Sequence, residues 1–259
     1  MAGFAPYLMM VKAMGARMPF VNHRGQRIHY TVDGEGPLIV LQHGLLMSCE
    51  SWKRGGIVDA LRDRYRVACV DSLGHGESDK PSEAALYHQT QRAGDIVAVL
   101  DDLDCERAHL VGHSMGAWLA VGVARHHPGR LSSLVLGGWD IVNGLPPTSR
   151  GPVTFDAFMK FAGRAAPELV EWVTPACEPG VRACFEALGQ LDGAREAVMA
   201  AGVPVLIWEG RDDPAHDQRK AFAEAAGLAF LSTAGDHLGM LLVYGAETAK
   251  GIRALAARC

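Results

Sequence analysis

Ser114 lies in a setting that can turn a hydroxyl into a nucleophile, Gly112-His113-Ser114-Met115-Gly116. The apolar Leu110 and Val111 before it read as the end of a buried strand, and Met115, Leu119 and Val123 after it keep helical spacing. A serine on so sharp a strand-to-helix turn brings neighbouring backbone too close for side chains at the flanking positions, which Gly112 and Gly116 leave clear. A serine hydroxyl is weak at neutral pH and needs a base to take its proton, with a carboxylate to orient that base. His237, in Ala234-Gly235-Asp236-His237, follows the last strand-like run, and the loop after Val203 to Trp208 supplies Asp212 and Asp213. The order Ser114, Asp213, His237 places three groups of acyl-transfer chemistry on separate loops. Asp213 precedes Pro214 and is held extended, so adjacent Asp212 points the other way; Asp212 and Asp140 stay as alternative acids.

These groups need a frame that brings distant loops together. Pro19 to Asn22 and Arg27 to Val32 read as an opening hairpin around His23-Arg24-Gly25-Gln26. Short apolar runs follow at Leu38 to Gln42, Arg66 to Val70, Ala108 to Val111, Leu131 to Leu136, Val203 to Trp208 and Leu228 to Leu231. Between and after them, helical patterns run at Ser51 to Arg64, Tyr87 to Leu103, Ser114 to His127, Pro214 to Ala226 and Leu238 to Ala256. The expected fold is α/β, a mostly parallel eight-stranded sheet covered by helices on both faces. Ligands in such a sheet gather at the carboxyl ends of the strands, where every candidate above falls. Asp140 to Ala201 breaks the alternation with two Pro-containing turns and extra helical segments. It reads as a helical cap, residues 140–201, inserted into a core of residues 1–139 and 202–259, with residues 1–18 an arm expected to be poorly ordered.

The chain resembles the α/β-hydrolase fold superfamily, on motifs that run from about Phe20 onward. His43-Gly44-Leu45-Leu46 is similar to that family's oxyanion-loop motif, Asp71-Ser72-Leu73-Gly74-His75-Gly76-Glu77-Ser78 to its D-x-x-G-H-G-x-S loop, and Gly210-x-x-Asp213-Pro214 to its acid loop. The resemblance implies a triad of Ser114, Asp213 and His237, with the backbone amides of Leu45 and Met115 as oxyanion donors. It also implies architectural roles for Asp71 and His75, and for His43 a role in shaping the oxyanion loop. Relatives that open epoxides or cleave carbon–halogen bonds carry aspartate where Ser114 stands, so the resemblance implies hydrolysis of carboxylic esters, lactones or thioesters. Hydrolysis of a C–C bond in meta-cleavage products is the alternative chemistry, and a non-catalytic ligand-binding or sensor protein of the same fold the alternative class.

His43, His113, Trp139, Phe155 and Phe158 are candidates for substrate contact. Phe155, Phe158, Met159 and Ala162 keep helical spacing, and Phe161, Trp172 and Phe185 add aromatic area; such a stripe is first of all the cap's own core. A mostly apolar roof favours an uncharged acyl or aromatic group, although Arg150, Lys160 and Arg164 offer anchors for a carboxylate. Asp236 reads as a turn former, and His216 has no assigned role. Histidines and acids appear singly on separate loops, and the glycines lack G-x-G-x-x-G and Walker spacing, so neither metal nor nucleotide cofactor is expected.

With 25 basic and 29 acidic residues the net charge is −4 without long runs of one sign, which favours a small-molecule substrate over nucleic acid or an anionic membrane. The six scattered cysteines lack ligand spacing and read as reduced thiols of a cytoplasmic protein, with Cys49 the one placed near the site.

Overall fold

The computed structural model describes residues 19–145 and 151–259. The expected disordered arm, Pro146-Pro147 and Arg150 lie outside the described residues. Eight strands form one sheet: β1 (Phe20–His23), β2 (Gln26–Asp33), β3 (Leu38–Gln42), β4 (Arg66–Val70), β5 (Ala108–His113), β6 (Leu131–Gly137), β7 (Val205–Gly210) and β8 (Ala229–Thr233). Their order is β1-β2-β4-β3-β5-β6-β7-β8. The β1–β2 and β2–β4 pairs are antiparallel and the remaining pairs parallel.

The central strands are apolar without visible alternation because both faces are covered. Successive residues still take opposite sides. Leu38 and Val40 of β3 pack into one core with Leu110, Leu134 and Leu136, while Ile39 and Leu41 pack into a second core with Val67, Val111 and Trp208. The helices are α1 (Cys49–Arg54), α2 (Ile57–Leu61), α3 (Gln89–Asp102), α4 (Met115–His126), α5 (Phe155–Ala165), α6 (Glu178–Ala187), α7 (Ala194–Ala200), α8 (His216–Ala225), α9 (Gly239–Leu242) and α10 (Gly245–Ala256). α3 to α7 contribute to the first core, whereas α1, α2, α9 and α10 contribute to the second.

Two expected helices are divided. The span Ser51 to Arg64 is α1 and α2, broken at Gly55-Gly56, with Gly56 left-handed at φ 73°. Leu238 to Ala256 is α9 and α10, and the two breaks meet: a Cβ on Gly55 would lie 1.9 Å from the Leu241 carbonyl oxygen. Helical periodicity continues across both breaks, so only this backbone contact sets them apart.

Parallel register aligns the strand ends that matter. Gln42 pairs with Gly112, His113 with Gly137, Gly137 with Trp208, and Gly210 with Thr233. The loops that leave β3, β5, β6, β7 and β8 therefore emerge along one edge, carrying His43 to Leu46, Ser114, Gly138 to Asp140, Asp213 and His237 in turn.

Candidate active site

Ser114 occupies φ 54°, ψ −120°, a conformation that costs a non-glycine residue about 1–3 kcal/mol and persists only when its surroundings enforce it. Those surroundings are backbone. A Cβ at position 112 would lie 2.2 Å from the Gly116 oxygen, and one at position 116 would lie 1.9 Å from the Gln42 oxygen. The Ser114 amide donates to the Gly137 carbonyl at 2.7 Å, while its own carbonyl accepts from Ala117 and Trp118 at 2.9 and 3.2 Å and so starts α4. The turn is pinned to β6 on one side and to its helix on the other, and Ser114 itself stays partly exposed.

His237 Nδ1 faces Asp213 Oδ2 at 3.6 Å. This is an ion-pair distance just beyond a hydrogen bond, of the kind that tightens when a substrate is bound. Burial works to raise the Asp213 pKa, but the His237 ring, the Ala215 amide and Arg219 together bring it down to about 2. The Ala215 amide donates to Asp213 Oδ1 at 2.8 Å, and Arg219 Nη1 lies 4.0 Å from that same oxygen. Asp212 is exposed. Asp140 is engaged as a turn cap, its Oδ1 accepting from the Val142 and Asn143 amides at 2.9 and 2.8 Å. Asp236 likewise caps α9, accepting from the Gly239 amide at 2.8 Å.

Several supports of this pair carry no sequence signal. Gly138 lies under the His237 ring, where a Cβ would approach Cε1 to 2.9 Å. His113 Nε2 donates to the His237 carbonyl at 2.8 Å, with the two rings 4.8 Å apart. Glu209 is fully buried beneath the acid loop and pairs with Arg219; burial raises its pKa, and Arg219 works in the opposite direction.

The loop after β3 is fixed with equal care. His43 is fully buried; its Nδ1 donates to the Gly44 carbonyl at 2.7 Å and its Nε2 accepts from the Ser72 amide at 3.0 Å. Leu46 is left-handed at φ 67°, its amide donating to His75 Nε2 at 3.1 Å and its carbonyl accepting from Trp172 Nε1 at 3.0 Å. Trp172 also packs on His75, ring centroids 5.5 Å apart, so a residue of the segment between β6 and β7 holds the loop. The Leu45 and Met115 amides have no acceptor among the described residues. Below, buried Asp71 accepts from His29 Nδ1 (2.7 Å) and from the amides of Cys49 (2.7 Å) and Glu77 (3.0 Å); these donors overcome burial and hold its carboxyl far below the usual range.

The substrate-contact candidates are distributed unevenly. His43 and His113 are both at 0 % exposure with hydrogen bonds to backbone, so the structure uses them as struts rather than as surfaces open to a ligand. Phe155 is buried between Phe185, 5.8 Å away, and the Arg182 guanidinium, 4.3 Å away; Phe158 is half-buried 5.2 Å from Phe185. Phe155 belongs to the first core, and Phe158 packs against it. Trp139 is buried and, with Asp140, Ile207, Arg219 and Phe222, lines a cleft of about 230 Å³ that neither Ser114 nor His237 borders. Lys160 and Arg164 are exposed, and His216 pairs with Asp217 and Ser232.

Two groups of ligand-type side chains converge among the described residues, His29/Cys49/Asp71 and Glu209/Asp213/His237. Neither fits a metal. In the first, Cys49 Sγ donates to the Cys69 carbonyl at 3.0 Å and burial pushes its thiol pKa well up, which also makes it a packing residue rather than a reactive one. In the second, Glu209 is committed to Arg219.

A family model described as the alpha/beta hydrolase fold matches residues 37–160. Epoxide hydrolase B of Mycobacterium tuberculosis is 39% identical over 120 residues, 44% of this chain and 33% of that protein. An epoxide hydrolase of Caballeronia sordidicola is 27% identical over 217 residues, 74% of this chain and 62% of that protein. The chain thus spans less than two thirds of the length of these curated relatives. Among solved structures, the enol-lactonase of Burkholderia xenovorans superposes with a TM-score of 0.74 at 25% identity, covering 92% of this chain and 100% of that one. An eight-stranded sheet in this order, a strained serine between β5 and α4, and an acid and a histidine on the loops after β7 and β8 agree with these likenesses: the chain has the α/β-hydrolase fold.

Proposed function

We propose that the protein is a serine hydrolase of carboxylic esters, lactones or thioesters with apolar acyl or aromatic groups. The observation that carries this reading is the enforced backbone of Ser114 on the same sheet edge as the His237–Asp213 pair. With Nδ1 turned to Asp213, the His237 proton sits on Nδ1 and Nε2 is left to accept. Ser114 Oγ attacks the carbonyl carbon and gives its proton to His237 Nε2. The carbonyl electron pair moves onto oxygen, where the Leu45 and Met115 amides receive it; preorganised donors of this kind contribute about 10²–10³ in rate each. Collapse breaks the bond to the leaving oxygen or sulfur, which takes the proton from His237. Water then loses a proton to the same nitrogen and attacks the acyl carbon, and the acid leaves as Ser114 regains its hydrogen.

A serine nucleophile does not suit the epoxide opening for which those relatives are named. Attack by a serine oxygen on an epoxide carbon leaves an alkyl ether, which water and a histidine base do not cleave, whereas an acyl ester is hydrolysed. Residues 140–201 act in this reading as the cap over the site, with Trp172 the side chain that reaches down to the oxyanion loop.

A fluorophosphonate probe is expected to label Ser114, and the protein to turn over nitrophenyl esters of graded chain length and a lactone. Ser114→Ala is expected to lose both activities. Absence of labelling in the folded protein, or turnover that survives in Ser114→Ala, overturns the reading.

A further inference from the structure

Arg92, which the mechanism above does not use, is a buried cation without a carboxylate. It sits on α3 at 1 % exposure, and both terminal nitrogens point to the Met115 thioether, Nη1 at 3.5 Å and Nη2 at 3.4 Å. A thioether is a weak acceptor and carries no charge to offset the guanidinium, which stays protonated in any protein environment. Nε is buried with no partner, and Cζ stands 5.9 Å from the Trp118 ring. No carboxylate oxygen lies within 4.0 Å of Arg92 among the described residues, and segments 1–18 and 146–150 contain neither Asp nor Glu.

Asp95 borders the same small void as Arg92, Gln42 and Ser72; its Oδ1 is taken by His23 at 2.8 Å and Arg24 at 2.7 Å, and its Oδ2, like Arg92 Nε, is buried without a partner. The void, about 10 Å³, is of the size that holds one water. Asp95 therefore makes its direct ion pair with Arg24, and none with Arg92. The positive charge lies behind Met115, whose amide opens α4 toward the substrate.

We propose that Arg92 is a positioning residue of the oxyanion hole. It grips the Met115 side chain from inside the fold and sets a fixed positive charge behind the Leu45 and Met115 amides. That charge stabilises the oxyanion as it forms and does little for the neutral substrate, so its contribution falls on turnover rather than on binding. A second effect runs through the loop after β3. Burial first, with Arg92 adding in the same direction, holds His43 and His75 neutral, and their Nε2 atoms must be bare to accept from the Ser72 and Leu46 amides.

The inference rests on the serine-hydrolase reading, and two variants separate them. Arg92→Met keeps bulk and removes charge; Arg92→Lys keeps charge and loses the two-nitrogen grip. The measurements are the rate of Ser114 labelling by a fluorophosphonate, kcat and KM for a nitrophenyl ester, and the urea midpoint. Arg92→Met is expected to label and turn over about tenfold more slowly, a loss of about 1.4 kcal/mol of transition-state stabilisation, with KM within about twofold. Its midpoint is expected to stay level or rise, because replacing an uncompensated buried charge by an apolar side chain is neutral or stabilising. Arg92→Lys is expected to recover most of the rate. Rates in Arg92→Met within about twofold of wild type refute the role of the charge. Equal rate losses in both variants with a fallen midpoint refute it as well, since packing alone then accounts for them. If the wild type is not labelled, the hydrolase reading fails and takes this one with it; a labelled wild type with an unaffected Arg92→Met variant removes only Arg92.

Discussion

Mild acid should destabilise this protein through three buried histidines that help to build the site. His43, His75 and His113 are each at 0 % exposure, and burial lowers the pKa of all three. Two of them use a bare nitrogen as acceptor, His43 for Ser72 and His75 for Leu46, so protonation there also breaks a hydrogen bond. In the unfolded chain each ring titrates near 6.5. A group whose folded pKa is depressed contributes stability above its unfolded value and loses it as pH falls toward the folded one. Between pH 7 and pH 5.5 the unfolded ring gains most of a proton that the folded environment disfavours, worth at most about 1.2 kcal/mol per ring and about 4 kcal/mol for three. Asp71, 4.0 Å from His43 Nε2, works against this at that one site. Urea unfolding followed by tryptophan fluorescence at the two pH values measures the difference. At a slope of about 3 kcal/mol per M the midpoint should drop by about 1 M. A drop below about 0.3 M refutes the reasoning, as does a His113→Gln variant whose midpoint depends on pH as steeply as that of the wild type.

The acid and the oxyanion loop give two further tests. Asp213→Asn should lower kcat by on the order of 10³ to 10⁴, as loss of the orienting carboxylate does in other triads, while Asp140→Asn, which removes only a turn cap, should stay within a few-fold in the same ester assay. Trp172→Phe keeps the packing on His75 but loses the hydrogen bond to the Leu46 carbonyl; it should cost about 1 kcal/mol of stability and lower kcat several-fold with little change in KM.

Much of the fold was legible because its signals are local. A hairpin pattern and six apolar runs located the eight strands to within about two residues, most readily the central ones, since a strand covered on both faces cannot hide its composition. The Ser114 turn was legible for the opposite reason, because Gly112 and Gly116 are demanded by contacts that no other residue fits. What stayed hidden is long-range. The breaks at Gly55-Gly56 and at Val243-Tyr244 follow from backbone packing between helices far apart in sequence. Glu209 reads as an ordinary strand end, Arg92 as a polar position on a helix and Trp172 as one aromatic among several; only the fold brings them to Arg219, Met115 and Leu46. Phe155 and Phe158 illustrate the converse, helix-spaced aromatics whose partner is Phe185 of the same insertion.

The contacts of Trp172 bear on how selectivity and rate are linked. The Leu46 amide and carbonyl are held from opposite sides, by His75 from the core and by Trp172 from the insertion, and Leu46 is in a left-handed conformation that these contacts help to enforce. Leu45, immediately before it, carries one of the two amides proposed to receive the oxyanion. A change in the insertion that shifts Trp172 therefore shifts the geometry in which charge is stabilised, and not only the shape of the space above it. Misplacing such a donor by an ångström costs far more in turnover than in binding, because the interaction reaches full strength only as the oxyanion forms. On this argument, exchanging residues 140–201 for those of a relative with a different acyl preference transfers that preference at full rate only if the exchanged segment again presents an N–H donor to the Leu46 carbonyl. An exchange without that donor should give the new selectivity at reduced kcat, and restoring a tryptophan at the equivalent place should recover the rate without altering the preference.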